Sequence, residues 1–401
     1  MTRLAPIALA LGLLGCQPSE FGIVPRPVET FAPAPPDHGS WLSMDLAPDN
    51  ERIVIAYYDR EFEGLGFATG MVDAEGAVNW LHERVDGYSD PESGLPTGNR
   101  GKYASMKVAP DGSVWIAYQD VVRGQLRFAH RVGGPNTWIT DQIEGPDASV
   151  LGTPKGNGHW ASLAINGEGK PVVAYHDADL GVLKRAVLAS IDTAEDGSAS
   201  YAWDTQVVQT GEGFNGLNDA GDPVTRDANV GQYARLMIRD GVEYIAYYDA
   251  GQRRLGLLEG SAGNYTQQFI TPEGVNMGQW PSMMIAEGTL HIAFHDVQNQ
   301  NLMVASRGAG GWRLEVADSA DFVGADTEIV RRGGTIGVVY FDGQYNNMKY
   351  AEKSGEAWTS RTLASEGAVG FHNEVIRRGE DFWAASYDFV SRQVFITKIE
   401  D

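Results

Sequence analysis

A five-residue string, apolar-Ala-aromatic-x-Asp, recurs along this chain, and no other feature restricts its fold as tightly. It stands at Ile55-Ala56-Tyr57-Tyr58-Asp59, Ile116-Ala117-Tyr118-Gln119-Asp120 and Val173-Ala174-Tyr175-His176-Asp177. It returns at Ile245-Ala246-Tyr247-Tyr248-Asp249 and Ile292-Ala293-Phe294-His295-Asp296. Looser copies follow at Val338-Val339-Tyr340-Phe341-Asp342 and Ala384-Ala385-Ser386-Tyr387-Asp388. Downstream of each Asp, at a constant offset, comes Leu65, Leu126, Leu183, Leu255, Leu302, Met348 or Val394. Upstream a Gly opens each copy: Gly39, Gly101, Gly158, Gly231, Gly278, Gly324 and Gly370. The last three Asp-to-Asp intervals are about 46 residues, the length of one four-stranded propeller blade. The first three are longer and carry insertions.

Each copy reads as four short strands. Strand A is the Gly-x-aromatic-x-Ser-apolar segment, as in Gly158-His159-Trp160-Ala161-Ser162-Leu163. A tight turn such as Pro110-Asp111-Gly112 leads into strand B, the apolar-Ala-Tyr run. Strand C carries the Leu after the Asp. Strand D often opens on an aromatic, as at Trp80, Trp138, Trp203, Tyr265, Trp312 and Trp358. The expected fold is therefore all-β: a seven-bladed β-propeller over residues 38–401. The seventh copy ends after strand C, and one strand is left over near Phe21 to Phe31. We expect that N-terminal strand to complete the last blade and close the ring, because an open edge invites aggregation. Pro25 and Pro27 suit only an outermost strand.

The chain has 401 residues and a formal net charge of −22. Such acidity argues against nucleic acid and against docking on an anionic lipid surface, both of which need clustered Lys and Arg. Arg3 and the apolar stretch Ile7 to Leu14 form an export signal too short to span a bilayer. The string Leu13-Leu14-Gly15-Cys16 resembles the lipobox of bacterial lipoproteins. That resemblance implies removal of residues 1–15 and acylation, palmitate included, of the Cys16 thiol. Several acyl chains give a stable membrane anchor. Gln17, rather than Asp, implies the outer membrane of the cell envelope, on its periplasmic or surface face. Cys16 is the sole cysteine, so no disulfide can form within the chain. Residues 16–37, with Pro18, Pro25, Pro27, Pro33, Pro35 and Pro36, read as a lipidated tether that includes the closing strand.

Blade six carries Tyr340-Phe341-Asp342 followed by Met348-Lys349-Tyr350-Ala351. This pattern resembles a Tyr-Tyr-Asp/Leu-Lys-Tyr-Ala repeat of bacterial secreted proteins grouped with sialidase-like (BNR-type) propellers. The resemblance implies a fold and not an activity, since one fold hosts many functions. The Asp-box of sialidases, Ser-x-Asp-x-Gly-x-Thr-Trp, has its nearest counterpart in Pro110-Asp111-Gly112-Ser113-Val114-Trp115, which lacks the Ser and the spacing. The sialidase Arg triad cannot be placed. Gly-x-Ser-x-Gly, His-Glu-x-x-His and paired-Cys motifs are absent from the sequence. We therefore expect a non-catalytic module that binds a glycan or a protein. A glycan-acting hydrolase and a scaffold are the alternatives.

The seven marker Asp residues are expected to hold the B–C turns through backbone N–H groups. The strand-A aromatics Trp41, Tyr103, Trp160, Tyr233 and Trp280 are expected to pack between blades, with ligand stacking as the alternative. Function is sought where the copies differ. On the face where strands A start and strands B end, blade three offers His159 and His176, blade five His295 and blade seven His372. The Ser position of strand A is taken by Arg235, Glu328 and Glu374. These seven residues are the candidate ligand-binding set, at the mouth of the central channel. No catalytic residue is assigned. The competing readings are structural hydrogen bonds for each His, an ion pair from Arg235 to Glu328 or Glu374, and a His/carboxylate metal site.

Insertions from Asp86 to Lys102, Glu144 to His159 and Thr210 to Gln232 rise on the same face. The third, with Asn215, Asn218, Asp219, Asp222, Asp227 and Asn229, lacks EF-hand spacing. It reads as a solvated loop, with calcium as the alternative, and no other cofactor is expected. The opposite face has tight A–B turns such as Asp111-Gly112 and Asp240-Gly241, and is expected to leave little room for a site.

Overall fold

The computed structural model describes residues 37–88, 98–146, 156–195, 198–217 and 221–400. Seven antiparallel sheets form a seven-bladed propeller. Blades one to six have four strands in the order A-B-C-D, and the described part of blade seven has three. A small extra hairpin, Phe214–Leu217 with Pro223–Arg226, sits in the connection from blade three to blade four.

Strands A run His38–Leu46, Arg100–Val108, His159–Ile165, Val230–Arg239, Met277–Ala286, Val323–Arg332 and Phe371–Arg378. Each meets the strand A of the next blade, and the last meets the first, so together they line the central channel. Strands B lie one step out. Ile53–Asp59, Val114–Asp120 and Pro171–Asp177 are buried at every position. Both faces of each are covered by neighbouring blades, which is why the sequence there is apolar without alternation. The core is correspondingly divided into one cluster per blade junction. Phe67, Met106, Ile116 and Tyr118 fill the first junction, while Leu42, Ile55, Ile376 and Trp383 join blade seven to blade one.

The repeated polar residues lace the blades together. Tyr118 and Arg127 of blade two meet on Asp86, at the end of strand D of blade one. Tyr175 and Lys184 meet on Glu144, and Tyr340 and Lys349 on Asp318, in the same way. The marker Asp residues cap the B–C turns as expected. Asp59 accepts from the N–H groups of Glu61 and Phe62, Asp296 from Gln298 and Asn299, and Asp342 from Gln344 and Tyr345.

Cys16 and the expected closing strand at 21–31 lie outside the described residues. The described chain begins beside blade seven. His38 N–H donates to the Arg392 carbonyl, just ahead of strand C of that blade, Gln393–Lys398, at 2.9 Å. The same bond recurs where strand A of each later blade arrives from the strand D before it, as from Val323 to Gln300 and from Val369 to Asn346.

Candidate functional site

The start of every strand A is bulged. In blade five, Gln279 faces His295 and Ser282 faces Ala293, so strand A has one residue more than strand B across the same span. The other six blades show the same shift. The extra residue has left-handed backbone. Trp41, Tyr103, Trp160, Tyr233, Trp280, Asp326 and His372 have φ between 46° and 54°. Left-handed backbone is uncommon for bulky L-residues and costs of order 1–3 kcal/mol each, strain that clusters at functional sites. The preceding Gly makes the bulge feasible: at Gly278, φ is +118°, and an added Cβ would lie 2.5 Å from the Leu255 Cβ.

The seven bulge residues form a collar around a cavity of about 130 Å³ at the channel mouth. Five are aromatic, and their ring centroids run in series. Trp41–Tyr103 are 5.6 Å apart, Tyr103–Trp160 5.5 Å, Trp160–Tyr233 5.0 Å and Tyr233–Trp280 4.6 Å. His372 extends the series at 5.3 Å from Trp41. Asp326 stands between Trp280 and His372 and makes the remaining side polar. Burial raises the Asp326 carboxyl to about 6, against the opposing effects of the His372 N–H and the Arg235 charge. Burial lowers the His372 imidazole to about 4, and the charge of Arg60 adds to that effect. At neutral pH the collar thus carries one carboxylate and one neutral imidazole.

Charged side chains form the floor of this cavity. In four blades a Ser in strand A holds the next blade: Ser43 accepts the N–H of Met106, Ser105 that of Leu163, Ser162 that of Leu236 and Ser282 that of Ile329. Blades four, six and seven place Arg235, Glu328 and Glu374 there. Arg235 pairs with Glu328 and approaches Glu374 to 3.8 Å. Their side chains are 32%, 14% and 13% exposed, so the network is only partly dry. Glu374 also accepts the N–H of Met44, the bond a Ser makes elsewhere. Burial raises its carboxyl, while Arg235 and Lys107 pull it down.

The structure therefore brings Arg235, Glu328, His372 and Glu374 to one cavity, which the side chains of His159, His176 and His295 do not line. The His159 ring sits 5.1 Å from that of Tyr103. His176 is buried and its Nδ1 bonds the Val230 carbonyl at 2.9 Å, tying blade three to blade four. The equivalent Tyr58 and Tyr248 bond Asn99 and Asn276 of their following blades. The His295 ring packs 5.7 Å from Trp280, and neither nitrogen has a partner among the described residues. Burial lowers both His176 and His295 to about 4. Among the described residues no group of three or more His, Cys, Asp or Glu is placed to hold a metal ion. Asn218 and Asp219 lie outside them.

Two points differ from the sequence reading. The opposite mouth is not closed by its tight turns. Below the Arg235–Glu328–Glu374 floor the channel opens into a space of about 590 Å³ lined by Asp45, Lys107, Asn166 and Arg377. Asp326 was also missed. Its signal was its place: it stands where five other copies have an aromatic.

No protein-family model matches the sequence, and a search of curated proteins finds no match. Solved structures superpose on this chain over most of its length. The polysaccharide lyase Uly1 superposes with a TM-score of 0.52 at 10% identity, over 91% of this chain and 90% of that one. A leech intramolecular trans-sialidase gives 0.47 at 10% identity, over 87% and 83%. Trypanosoma rangeli sialidase gives 0.45 at 10% identity, over 82% of this chain and 57% of that chain.

Proposed function

We propose that this propeller is a non-catalytic, lipid-anchored glycan-binding module of the bacterial cell envelope, and that a sugar ring docks at the collar. The observation that carries this reading is the collar itself. Five aromatic side chains encircle one cavity, each held by the same strained bulge, with Asp326 and His372 closing the ring. Aromatic faces stack on the C–H faces of a pyranose, while a carboxylate and a neutral imidazole bond its hydroxyls. A pre-formed rim of this kind spends little entropy on ordering. The cavity of about 130 Å³ suits a single sugar unit or a chain end. The shared fold with a polysaccharide lyase is compatible with a glycan ligand.

A second reading, hydrolysis, is favoured by one observation: Asp326 and Glu374 both have raised carboxyls and line the same cavity. Two carboxyls in one cavity, held in different surroundings, are the residue types that acid/base cleavage of a glycan uses. A glycan array, followed by tryptophan-fluorescence titration of wild type and Trp280→Ala, tests the binding reading. Binding without turnover is expected, with at least a tenfold loss in Trp280→Ala. Equal affinity in the variant overturns the collar as the site. Product release that Asp326→Asn abolishes would establish the hydrolase instead.

A further inference from the structure

The collar has an outer annex of different chemistry. Trp41 and His372 line the collar cavity and also a second cleft, of about 490 Å³, with Tyr58, Arg60, Lys102 and Phe389 among its other walls. The sign of its charge is opposite to that of the chain. The Lys102 ammonium stands 5.3 Å from the Trp41 ring centroid and 5.7 Å from that of Tyr58. The Arg60 guanidinium stands 5.5 Å from the Phe389 centroid and bonds the Tyr387 hydroxyl. Glu63 is the one acid lining this cleft among the described residues; within them neither cation makes an ion pair, and a further acid, Asp37, shares the Tyr387 hydroxyl with Arg60. Several other part-buried cations have carboxylate partners: Arg100 with Asp86 and Asp120, Lys184 with Glu144 and Asp177, Arg185 with Glu243.

In a chain with 53 acidic and 31 basic residues, two cations in one cleft beside the collar, neither ion-paired among the described residues, are a local inversion of charge. Long-range repulsion from the remaining acids is screened within a Debye length of about 8 Å at physiological salt, so the nearby cations set the local preference. Lys102 and Arg60 also hold their charges against aromatic rings, which restrains the side chains before any ligand arrives. We propose that this cleft is an anion subsite of the collar, and that the ligand is an acidic saccharide. One sugar ring occupies the collar, and the carboxylate or sulfate of an adjoining unit lies between Lys102 and Arg60. Tyr58 and Asn99, bonded to each other at 3.0 Å, offer hydroxyl and amide groups to the same unit. The inference rests on the collar reading and adds to it the charge of the ligand.

Fluorescence titration with paired probes tests it. The probes are an oligogalacturonate, its carboxyl-reduced neutral counterpart, a chondroitin sulfate oligosaccharide and its desulfated counterpart. The wild type should bind an acidic probe at least tenfold more tightly than its neutralised partner. Lys102→Met and Arg60→Gln should each weaken the acidic probe about three- to tenfold, and the double variant should abolish the discrimination. Neutral-probe affinity should stay unchanged in all three. The pair that shows discrimination identifies carboxylate or sulfate as the group recognised. Equal binding of both members of each pair, or equal losses for both in the variants, overturns the anion subsite. The collar reading survives that outcome if Trp280→Ala still weakens binding. Failure of every probe to bind the wild type overturns both.

Discussion

Replacing Asp326 with Asn should make the protein more stable at neutral pH. Asp326 has φ of 47°, a backbone that Asn adopts readily, and Asn can still accept the N–H of His372. The Asp carboxyl is raised from 3.8 to about 6 in the folded state. Above pH 6 that difference amounts to about 3 kcal/mol of lost stability at most. Part of the side chain is open to channel water, which screens the charge and reduces the figure to about 1–2 kcal/mol. The sign follows from proton linkage. A carboxyl with a raised folded-state pKa holds its proton more tightly when folded. Its stabilising contribution is complete below about pH 4 and disappears as pH rises through 6. Asn carries no charge at any pH and escapes that loss. Scanning calorimetry from pH 4 to 8 should show near-equal Tm values at the acid end. At pH 8 the variant should melt about 2 °C higher, the shift expected for a domain of this size. Parallel curves, or a variant destabilised equally at both ends, would refute the claim that Asp326 is a desolvated charge. A gain in stability accompanied by weaker ligand binding is the pattern expected of a strained functional residue.

Arg235→Met leaves Glu328 and Glu374 facing each other. Breaking a buried pair costs roughly 3–5 kcal/mol, and the partial exposure of Arg235 lowers this to about 2–3 kcal/mol. Urea melts should show the larger loss at pH 8 and a smaller one in acid, because burial already raises the Glu374 carboxyl and the lost Arg235 charge no longer pulls it down; a pH-independent loss contradicts the network. Ser282→Ala removes the acceptor of the Ile329 N–H between blades five and six, and should cost about 1–3 kcal/mol in the same assay; no change would show that the bond is dispensable. Deleting residues 21–31 should lower cooperative stability or cause aggregation, seen by calorimetry and light scattering; a deletion that melts like the parent removes the closing-strand expectation. Cys16→Ser should shift the protein from membrane to soluble fractions, and continued membrane association with an uncut N-terminus defeats the lipobox reading.

The blade repeat was legible because every copy obeys the same local physics. Asp59, Asp296 and Asp342 cap identical turns, and one strand-B position, Ala in six copies and Val339 in blade six, is fully buried in every blade. The position of the charged site was legible too, because Arg235, Glu328 and Glu374 break a Ser pattern at one offset. His159, His176 and His295 were less so. A residue at the face-side end of strand B can point along the blade junction instead of into the channel, and His176 does so to reach the Val230 carbonyl.

The sequence alone determined the number of blades, the four strands of blades one to six, and the fact that blades four, six and seven are chemically distinct at the channel. Period and offset carry that information, because strand, turn and blade are set by interactions close in sequence or repeated at a fixed interval. The tertiary structure decided what the copies make together. An aromatic in one copy is indistinguishable from core packing until seven strands converge and turn their bulged residues onto a single cavity. The same convergence pairs Arg235 with a glutamate more than ninety residues away, and sets Trp41 beside His372 across the closure of the ring. Those meetings depend on the angle between blades and on ring closure, and neither is written at any one offset in the chain.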